Sequence, residues 1–385
     1  MGLDIIREIS HKYGSNPNYV LAGGGNTSYK DEHFLYIKGS GTSLATIENN
    51  GFVKMSRKSL DKIWEKTYSK EQDKREAEVL ADMMGAKCKG EEAKRPSVET
   101  LLHNLFIQPY VLHVHPTMVN GLTCSNGGKD TMEKMFPNAI WVEETEPGYT
   151  LAVKCRERIG EYEKRTNTRA NLLFLQNHGV FFAADNAMQM DILVDEVMDK
   201  FKKSITTLPD LQKIDFDVNK IEKIASKIKE CYEKDVYVKF TINKEVERLC
   251  SSYDSFEILT RPMSPDHIVY CKAVPMFLES IDNITGQYKK FVNENKYEPK
   301  IIFIKNIGMF AIGKSEKDSL VVSDVWMDAV KISVYAQSFG GVRHMAPDMV
   351  DFIANWEVES YRSKVNLNQK GLKYEKNSKL YCKSR

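Results

Sequence analysis

The feature that most constrains this chain is a short apolar segment at residues 110–116 that carries two histidines. His113 and His115 stand two residues apart, and Pro116 closes the run. Because successive side chains of a β-strand point to opposite faces, a strand here would place both imidazoles on one face. A third histidine, His178, follows a second apolar run at 171–175. Three neutral imidazoles from neighbouring strands would leave an open position for substrate on a divalent metal, for which we expect zinc.

Length and charge narrow the classes of protein that the chain can be. Its 385 residues are more than one ordinary domain needs and suit two. The 42% of hydrophobic residues is enough to build substantial cores. The net charge of +2, from 55 basic and 53 acidic residues that are interspersed along the chain, argues against nucleic acid as the main partner.

The cysteines and the apolar runs predict where the protein resides. The seven cysteines are scattered and include no Cys-x-x-Cys pair, which is typical of reduced thiols in a cytoplasm. Residues 1–9 have the pattern of an amphipathic helix rather than of a signal peptide. No apolar run approaches the ~20 residues that cross a membrane. We therefore expect a soluble, cytoplasmic protein without a membrane partner.

Strand-like and helical segments alternate over the first ~205 residues, which predicts an α/β or α+β layered domain. Two loops of glycine and hydroxyl residues, at 23–28 and 39–43, flank a strand-like segment at 34–38. Such loops can present N–H groups and hydroxyls to an anion, but similar turns also connect strands without binding anything. Neither loop matches a P-loop or a dinucleotide fingerprint that opens a helix, which argues against a nucleotide-binding oxidoreductase.

Glu99 precedes the histidine strand by one predicted helix. Ser97 can cap this helix, and Glu99 would then lie in its first turn. A helix of ~8 residues running antiparallel to the strand would return its first turn to the end of the strand that carries His113 and His115. Glu99 could then act in catalysis beside the metal. Alternatively, it only stabilises the helix N-terminus, by about 0.3–1 kcal/mol.

A second copy of the pattern occurs later in the chain. Residues 174–183 and 303–312 both consist of a strand, Asn-x-Gly and a second apolar strand, followed by a long helix. Ile307, which cannot bind a metal, stands at the position of His178. Residues 267–272 are expected to form the counterpart of the histidine strand, without a His-x-His pair. We infer a duplicated fold whose second copy lacks the site, the alternative being coincidence.

These observations divide the chain into three predicted parts: a metal-binding catalytic domain at 1–208, a helical connector at 209–244 and a degenerate domain without metal ligands at 245–385. The tail from Ser363, rich in lysine and asparagine, is expected to lie on the surface or to be disordered at its end.

The motifs resemble those of the class II aldolase/adducin family, which includes fuculose-phosphate and rhamnulose-phosphate aldolases and ribulose-phosphate epimerases. The matching segments occur in the order of the family: Gly25-Asn26-Thr27-Ser28, Lys38-Gly39-Ser40-Gly41-Thr42, Pro96-Ser97-Val98-Glu99, His113-Val114-His115 and Asn177-His178-Gly179. The resemblance covers residues 1–205 closely, and the second half resembles the longer branch of the family. It implies a class II aldolase-like three-layer fold, here duplicated in tandem.

The resemblance also implies roles for individual residues. The three histidines would hold zinc, or another divalent metal such as manganese or cobalt, and Glu99 would be the acid/base residue. Four residues would cradle a substrate phosphate, namely Asn26, Ser40, Gly41 and Ser97. Two positions depart from the family pattern. Val98 replaces a second serine of some aldolases, and Tyr149 follows the acidic loop at 143–148 rather than preceding its glycine.

The function expected from the resemblance is that of an aldehyde-lyase of carbohydrate metabolism. It would cleave a ketose or ketose phosphate reversibly, through a metal-bound enediolate. A sugar-phosphate 4-epimerase, a dehydratase or a decarboxylase could use the same metal site, and a non-catalytic adducin-like scaffold is the rival from another class. The resemblance further implies a homo-oligomer, either a dimer or a tetramer.

Overall fold

Two β-sheets organise residues 2–355, which are the residues that the computed structural model describes. One sheet has seven strands and belongs to the first half, and the other has four strands and belongs to the second half. The tail expected to lie on the surface from Ser363 falls outside the described residues.

The strands of the first sheet are β1 (Asn26–Lys30), β2 (Phe34–Lys38), β3 (Phe52–Ser56), β4 (Tyr110–Val114), β5 (Ile140–Val142), β6 (Leu172–Leu175) and β7 (Gly179–Ala184). Their order in the sheet is β3-β2-β1-β4-β7-β6-β5, so the strand that carries His113, β4, lies in the middle. All neighbours are antiparallel except β5 and β6, which are parallel.

Helices cover both faces of this sheet, because the inner strands are apolar on both faces. In β4, Leu112 and Val114 enter one core, while Val111 enters the other. Four helices pack on the Leu112 side: α1 (Gly2–Gly14), α5 (Thr117–Thr123), α6 (Gly128–Met135) and α8 (Ala187–Ser204). Four pack on the Val111 side: α2 (Arg57–Asp61), α3 (Gln72–Gly85), α4 (Thr100–Leu105) and α7 (Tyr149–Thr166). The first half is thus a mixed α/β fold of three layers, as expected.

The second half contains a smaller sheet of four strands. Its strands are β8 (Tyr237–Thr241), β9 (Met276–Leu278), β10 (Ile301–Ile304) and β11 (Gly308–Gly313). Its helices are α9 (Val218–Lys229), α10 (Lys244–Leu249), α11 (Tyr253–Phe256), α12 (Pro265–Cys271), α13 (Ile284–Asn295), α14 (Glu316–Tyr335) and α15 (Pro347–Asn355).

The two halves repeat one topology, which confirms the predicted duplication. The strands β8-β11-β10-β9 have the same order and relative directions as β4-β7-β6-β5. The turns between the paired strands also match, since Asn177 and Asn306 both adopt positive φ, of 54° and 56°. His113 pairs with Phe181, and Phe240 pairs with Phe310 at the corresponding position. Phe240 and Ile307 therefore occupy positions that histidines occupy in the first half.

Two expectations for the second half were wrong. Residues 267–272 do not form the counterpart of β4, because most of them belong to α12, and β8 takes that place in the sheet. Pro265 at the first turn of α12, after Ser264, is a helix-start signal, whereas a short apolar run does not by itself distinguish a strand from a buried helix. The segment 209–244 is also more than a helical connector, since it contains α9 and the edge strand β8.

The halves pack against each other through α5 and α14. At Gly121 of α5, an added Cβ would lie 2.5 Å from the Cβ of Tyr335, so the close approach of the two helices requires glycine. Across this interface Thr117 donates a hydrogen bond to the carboxylate of Asp328. None of the helices within residues 2–355 is long and apolar enough to cross a membrane.

Candidate metal centre

Three histidines converge at one end of the first sheet. His113 is the fourth residue of β4, His115 follows that strand, and His178 lies in the turn between β6 and β7. The Nε2 atoms of His113 and His115 are 3.0 Å apart. Taking one ring nitrogen from each of the three residues, all lie within 4.8 Å of one another. The period-two alternation of β4 thus brings together the side chains that the sequence singled out.

The hydrogen bonds of two rings determine where their lone pairs point. Nδ1 of His113 lies 3.0 Å from the carbonyl oxygen of Val180, and Nδ1 of His115 lies 2.7 Å from a carboxylate oxygen of Asp266. Both partners are acceptors, so each Nδ1 carries the hydrogen and donates. When these rings are neutral, each Nε2 therefore carries a lone pair and no hydrogen.

Two facing lone pairs at this distance repel each other unless a cation or a proton lies between them. Tetrahedral zinc, with Zn–N distances of about 2.0–2.1 Å, separates two of its nitrogen ligands by about 3.3–3.4 Å. A shift of a few tenths of an ångström would bring the Nε2 atoms of His113 and His115 to that separation. The donor set therefore fits a divalent metal of this kind.

His178 is suited to the same role because it stays neutral. Its burial, with the neighbouring rings of His115 and His113 as smaller contributions, lowers its pKa to about 3. Metal ligation by histidine requires the neutral imidazole. At neutral pH no proton therefore has to leave His178 before it can bind a metal.

Glu99 lies beside the histidines with its carboxylate directed at them. Oε1 is 3.3 Å from Nε2 of His113 and 3.6 Å from Nε2 of His178. The other oxygen, Oε2, accepts a hydrogen bond from the side-chain amide of Asn26. Burial alone would raise the pKa of Glu99, but the positive charge and hydrogen bond of a protonated His113, with a further contribution from His178, lower it well below its usual range. The carboxylate is thus held ionised and in a fixed orientation.

The helix after Ser97 begins later than predicted. α4 starts at Thr100 and Glu99 is its N-cap, so Glu99 precedes the first turn instead of lying in it. The hydroxyl oxygen of Ser97 accepts the backbone N–H of Glu99, at 3.2 Å. This turn, rather than the helix dipole of a first turn, orients the glutamate toward the histidines.

The four residues expected to bind a phosphate line a cavity next to this cluster. Asn26, Ser40, Gly41 and Ser97 share its wall with Glu99 and His178. Tyr149, the nearest tyrosine to the acidic loop in sequence, does not line this cavity and packs against Trp64 and Tyr68 instead. The structure therefore places a metal-type cluster beside a cavity that several polar side chains line.

Models of two protein-family domains match the two halves of the chain. Residues 6–197 match the model of the class II aldolase and adducin N-terminal domain, and residues 217–362 match that of the class II aldolase second domain. The chain belongs to the class II aldolase and adducin family. The matched ranges follow the two halves that the sheets define.

Individual relatives of this family member are distant. An uncharacterized oxidoreductase of Bacillus subtilis (strain 168), YuxG, is 23% identical over 420 residues, which cover 94% of this chain. The match covers 58% of that protein, so the chain spans less than two thirds of its relative.

Two solved structures are each similar to a little more than half of the chain. The N-terminal class II aldolase domain of a conserved Thermoplasma acidophilum protein is 23% identical, with a TM-score of 0.44, over 53% of this chain and 93% of that one. An L-fuculose 1-phosphate aldolase is 18% identical, with a TM-score of 0.35, over 58% of this chain and 96% of that one.

The sequence did not lead us to assign two charged residues to the site of this class II aldolase-family chain. Lys38, the last residue of β2, is 4% exposed and lines the cavity with Ser40. A lysine directly before a loop of glycine and hydroxyl residues was a usable signal for it. Asp266 contacts His115 from the second half, 151 residues away, and no local pattern in the sequence indicates that contact.

Proposed function

We propose that this chain catalyses the reversible, divalent-metal-dependent aldol cleavage of a ketose or ketose phosphate. The observation that carries the proposal is the convergence of three imidazoles with the buried carboxylate of Glu99 at the wall of the adjacent cavity. Zinc suits nitrogen ligands in this geometry, and manganese or cobalt are the alternatives. Three neutral ligands leave the full double charge on such a cation, which then acts as a Lewis acid on oxygens of the substrate.

The residues around the cluster suit the proton transfer that this chemistry needs. Cleavage of a carbon–carbon bond beside a ketone requires removal of a proton from a hydroxyl and its return to the carbon left behind. Glu99 is ionised and lies at the cavity wall, so it can accept a proton from a substrate hydroxyl. The amide of Asn26 holds one of its oxygens, and the other faces His113 and His178, beside the place where a metal-bound substrate hydroxyl would lie.

Other residues of the cavity wall suit an anionic group. Lys38 brings a positive charge, and Ser40 and Ser97 contribute hydroxyl groups that can donate hydrogen bonds. Gly41 adopts a φ of 86°, which lets the loop turn tightly beside the cavity. A phosphate or another anionic end of the sugar would be positioned here, with its reacting carbons toward the histidines.

The first test is the metal content of the purified protein. We expect one equivalent of divalent metal per chain, and loss of that metal in His113→Ala. His33→Ala is the matched control because His33 is exposed and remote from the cluster, so this variant should keep the metal. Purified protein without stoichiometric metal, or His113→Ala with full metal content, would show that the assignment of the site is wrong.

The second test is a screen of ketoses and ketose phosphates for aldehyde release, with identification of the products. General acid–base groups contribute about 10²–10⁴-fold, so Glu99→Gln should lower kcat by that factor while the metal stays bound. Epimerised, dehydrated or decarboxylated products would instead assign one of those reactions to the same site. If no substrate of these classes turns over with the metal bound, a scaffold role replaces the enzymatic one.

The assembly is a further part of the proposal. If four-fold rings are the arrangement of the family, a homodimer of tandem chains would reproduce one with two active and two blank positions. The blank positions would be those where Phe240 and Ile307 replace histidines. A solution mass equal to twice that of the chain is expected, and a monomeric mass at working concentration would contradict it.

A further inference from the structure

The second half of the chain contacts the candidate metal centre through one carboxylate. Oδ2 of Asp266, the second residue of α12, lies 2.7 Å from Nδ1 of His115. Both side chains are largely buried, with 9% of His115 and 13% of Asp266 exposed. A charge-assisted hydrogen bond at this distance, shielded from water, is a strong one.

This contact determines the state of the His115 ring. A carboxylate accepts hydrogen bonds, so it selects the tautomer with hydrogen on Nδ1 and leaves Nε2 as a lone pair. It also fixes the rotation of the ring, which directs that Nε2 to within 3.0 Å of Nε2 of His113. A histidine paired in this way is a better donor to a metal, and removal of such a partner typically costs 10–100-fold in metal affinity.

Helix α12 is held against the first half at a second point, which fixes the position of Asp266. The hydroxyl oxygen of Tyr270, on the same helix, accepts the backbone N–H of Gly23 at 3.2 Å. Pro265 lines the same cavity as Glu99 and His178. On its other sides α12 packs against α14 and α15. The helix therefore forms part of the wall of the site and does not merely lie near it.

We propose that Asp266 is a positioning residue that sets the tautomer and orientation of His115, so that the second half completes the metal centre of the first. The part of this inference that concerns metal affinity rests on the proposed function, whereas the part that concerns the tautomer does not. The second copy of the fold has lost the histidine positions but supplies the carboxylate that orients one of the ligands.

The first experiment compares zinc affinities of the full-length chain and its variants by competition with a chromophoric chelator. Asp266→Asn should weaken zinc binding by about 10–100-fold. Asp328→Asn is the matched control, because it also neutralises an aspartate that bonds across the interface between the halves, to Thr117, and it lies 3.9 Å from His267 on α12 rather than beside a candidate metal ligand. Its affinity should stay within about threefold of that of the original chain. Thermal unfolding of the metal-free proteins checks that both variants fold.

The second experiment reads the tautomer directly, in metal-free protein labelled with ¹⁵N-histidine. The His115 ring, assigned by its loss in His115→Gln, should show the hydrogen on Nδ1. In Asp266→Asn it should shift toward a mixture of tautomers, while Asp328→Asn leaves it unchanged.

The outcomes separate the two proposals. Zinc affinity equal in Asp266→Asn and the original chain, or lowered as much by Asp328→Asn, would overturn the role of Asp266 while the metal site stands. An original chain that binds no metal would refute the proposed function. A tautomer of His115 that depends on Asp266 would still support the positioning contact, and one that does not would overturn it.

Discussion

Replacement of Gly179 by alanine tests how tightly the candidate metal centre is packed. Gly179 follows His178 and begins β7. A Cβ at this position would lie 2.6 Å from Cδ2 of His115 and 2.6 Å from the carbonyl oxygen of Val114. Ordinary van der Waals contact begins at 3.4 Å, so about 0.8 Å of displacement is required. The carbonyl group of Val114 belongs to the backbone of a central strand and moves less easily than a side chain. We therefore expect the ring of His115 to be displaced.

The expected effects of Gly179→Ala are a loss of stability and a larger loss of metal binding. Overpacking of a close-packed site costs about 1–3 kcal/mol, which lowers the thermal midpoint of a chain of this size by roughly 1–4 °C. A ligand has to be held within ~0.5 Å of its productive position, so the displacement exceeds the tolerance of the site. Zinc affinity should therefore fall by at least about tenfold, as after loss of a supporting partner.

Thermal unfolding of the metal-free protein and chelator competition measure the two effects separately. Gly160→Ala, in the middle of α7, is the control, since a Cβ there has no heavy atom within 4 Å. It should leave the affinity unchanged and stabilise the helix by up to about 1 kcal/mol. If Gly179→Ala keeps the original midpoint and affinity, the close approach that we describe is wrong. If only the midpoint falls, His115 is not the group that moves.

Three further predictions concern stability and thiol chemistry. Burial raises the pKa of Asp324 to about 6 from its ordinary 3.8, so the folded chain loses stability as the pH rises from about 4 to 6. Asp324→Asn should therefore stabilise the protein by up to about 3 kcal/mol above pH 6 and by almost nothing below pH 4, as measured by urea unfolding across that range. The side-chain amide of Asn177 donates to two backbone carbonyls of the second half, and Asn177→Ala should cost about 1–3 kcal/mol in the same assay. Asn177→Gly should cost less, because glycine adopts the positive φ without strain; an equal cost would contradict this account. Burial raises the pKa of the thiols of Cys124, Cys155 and Cys271, so alkylation followed by mass spectrometry should leave them unmodified in native protein at pH 8 and modify them after unfolding.

Much of the first half could be predicted because its signals are local. The two-residue spacing of His113 and His115 gives one face of a strand, and the structure shows that arrangement in and just after β4. The long helix predicted after residues 174–183 is present in the structure as α8, where Asn186 caps it through its side chain. Strand and helix periodicities, with their capping residues, are encoded within a few neighbouring positions, so a single sequence is enough to read them.

The second half shows where local signals fail. The repeated Asn-x-Gly turn predicted the duplication, which the sheet topology confirms. The apolar run at 267–272 was nevertheless assigned to a strand, although α12 occupies it. A short run that is buried on several sides lacks a clear period, so its secondary structure is decided by what packs around it. The strand that pairs with β11 is instead β8, whose alternation of buried and half-buried residues is common to many segments.

The sequence by itself determined the candidate ligands, the neighbouring glutamate, the layered fold and its duplication, because each depends on residue types at short, regular spacings. Only the tertiary structure decided the state of those ligands. The carbonyl of Val180 and the carboxylate of Asp266 fix which nitrogen of each ring is bare, and the turn at Ser97 directs Glu99 toward them. Asp266 reaches His115 across 151 residues through the packing of α12 on the first half. A contact of that kind depends on the docking of two cores and leaves no periodic trace in the sequence.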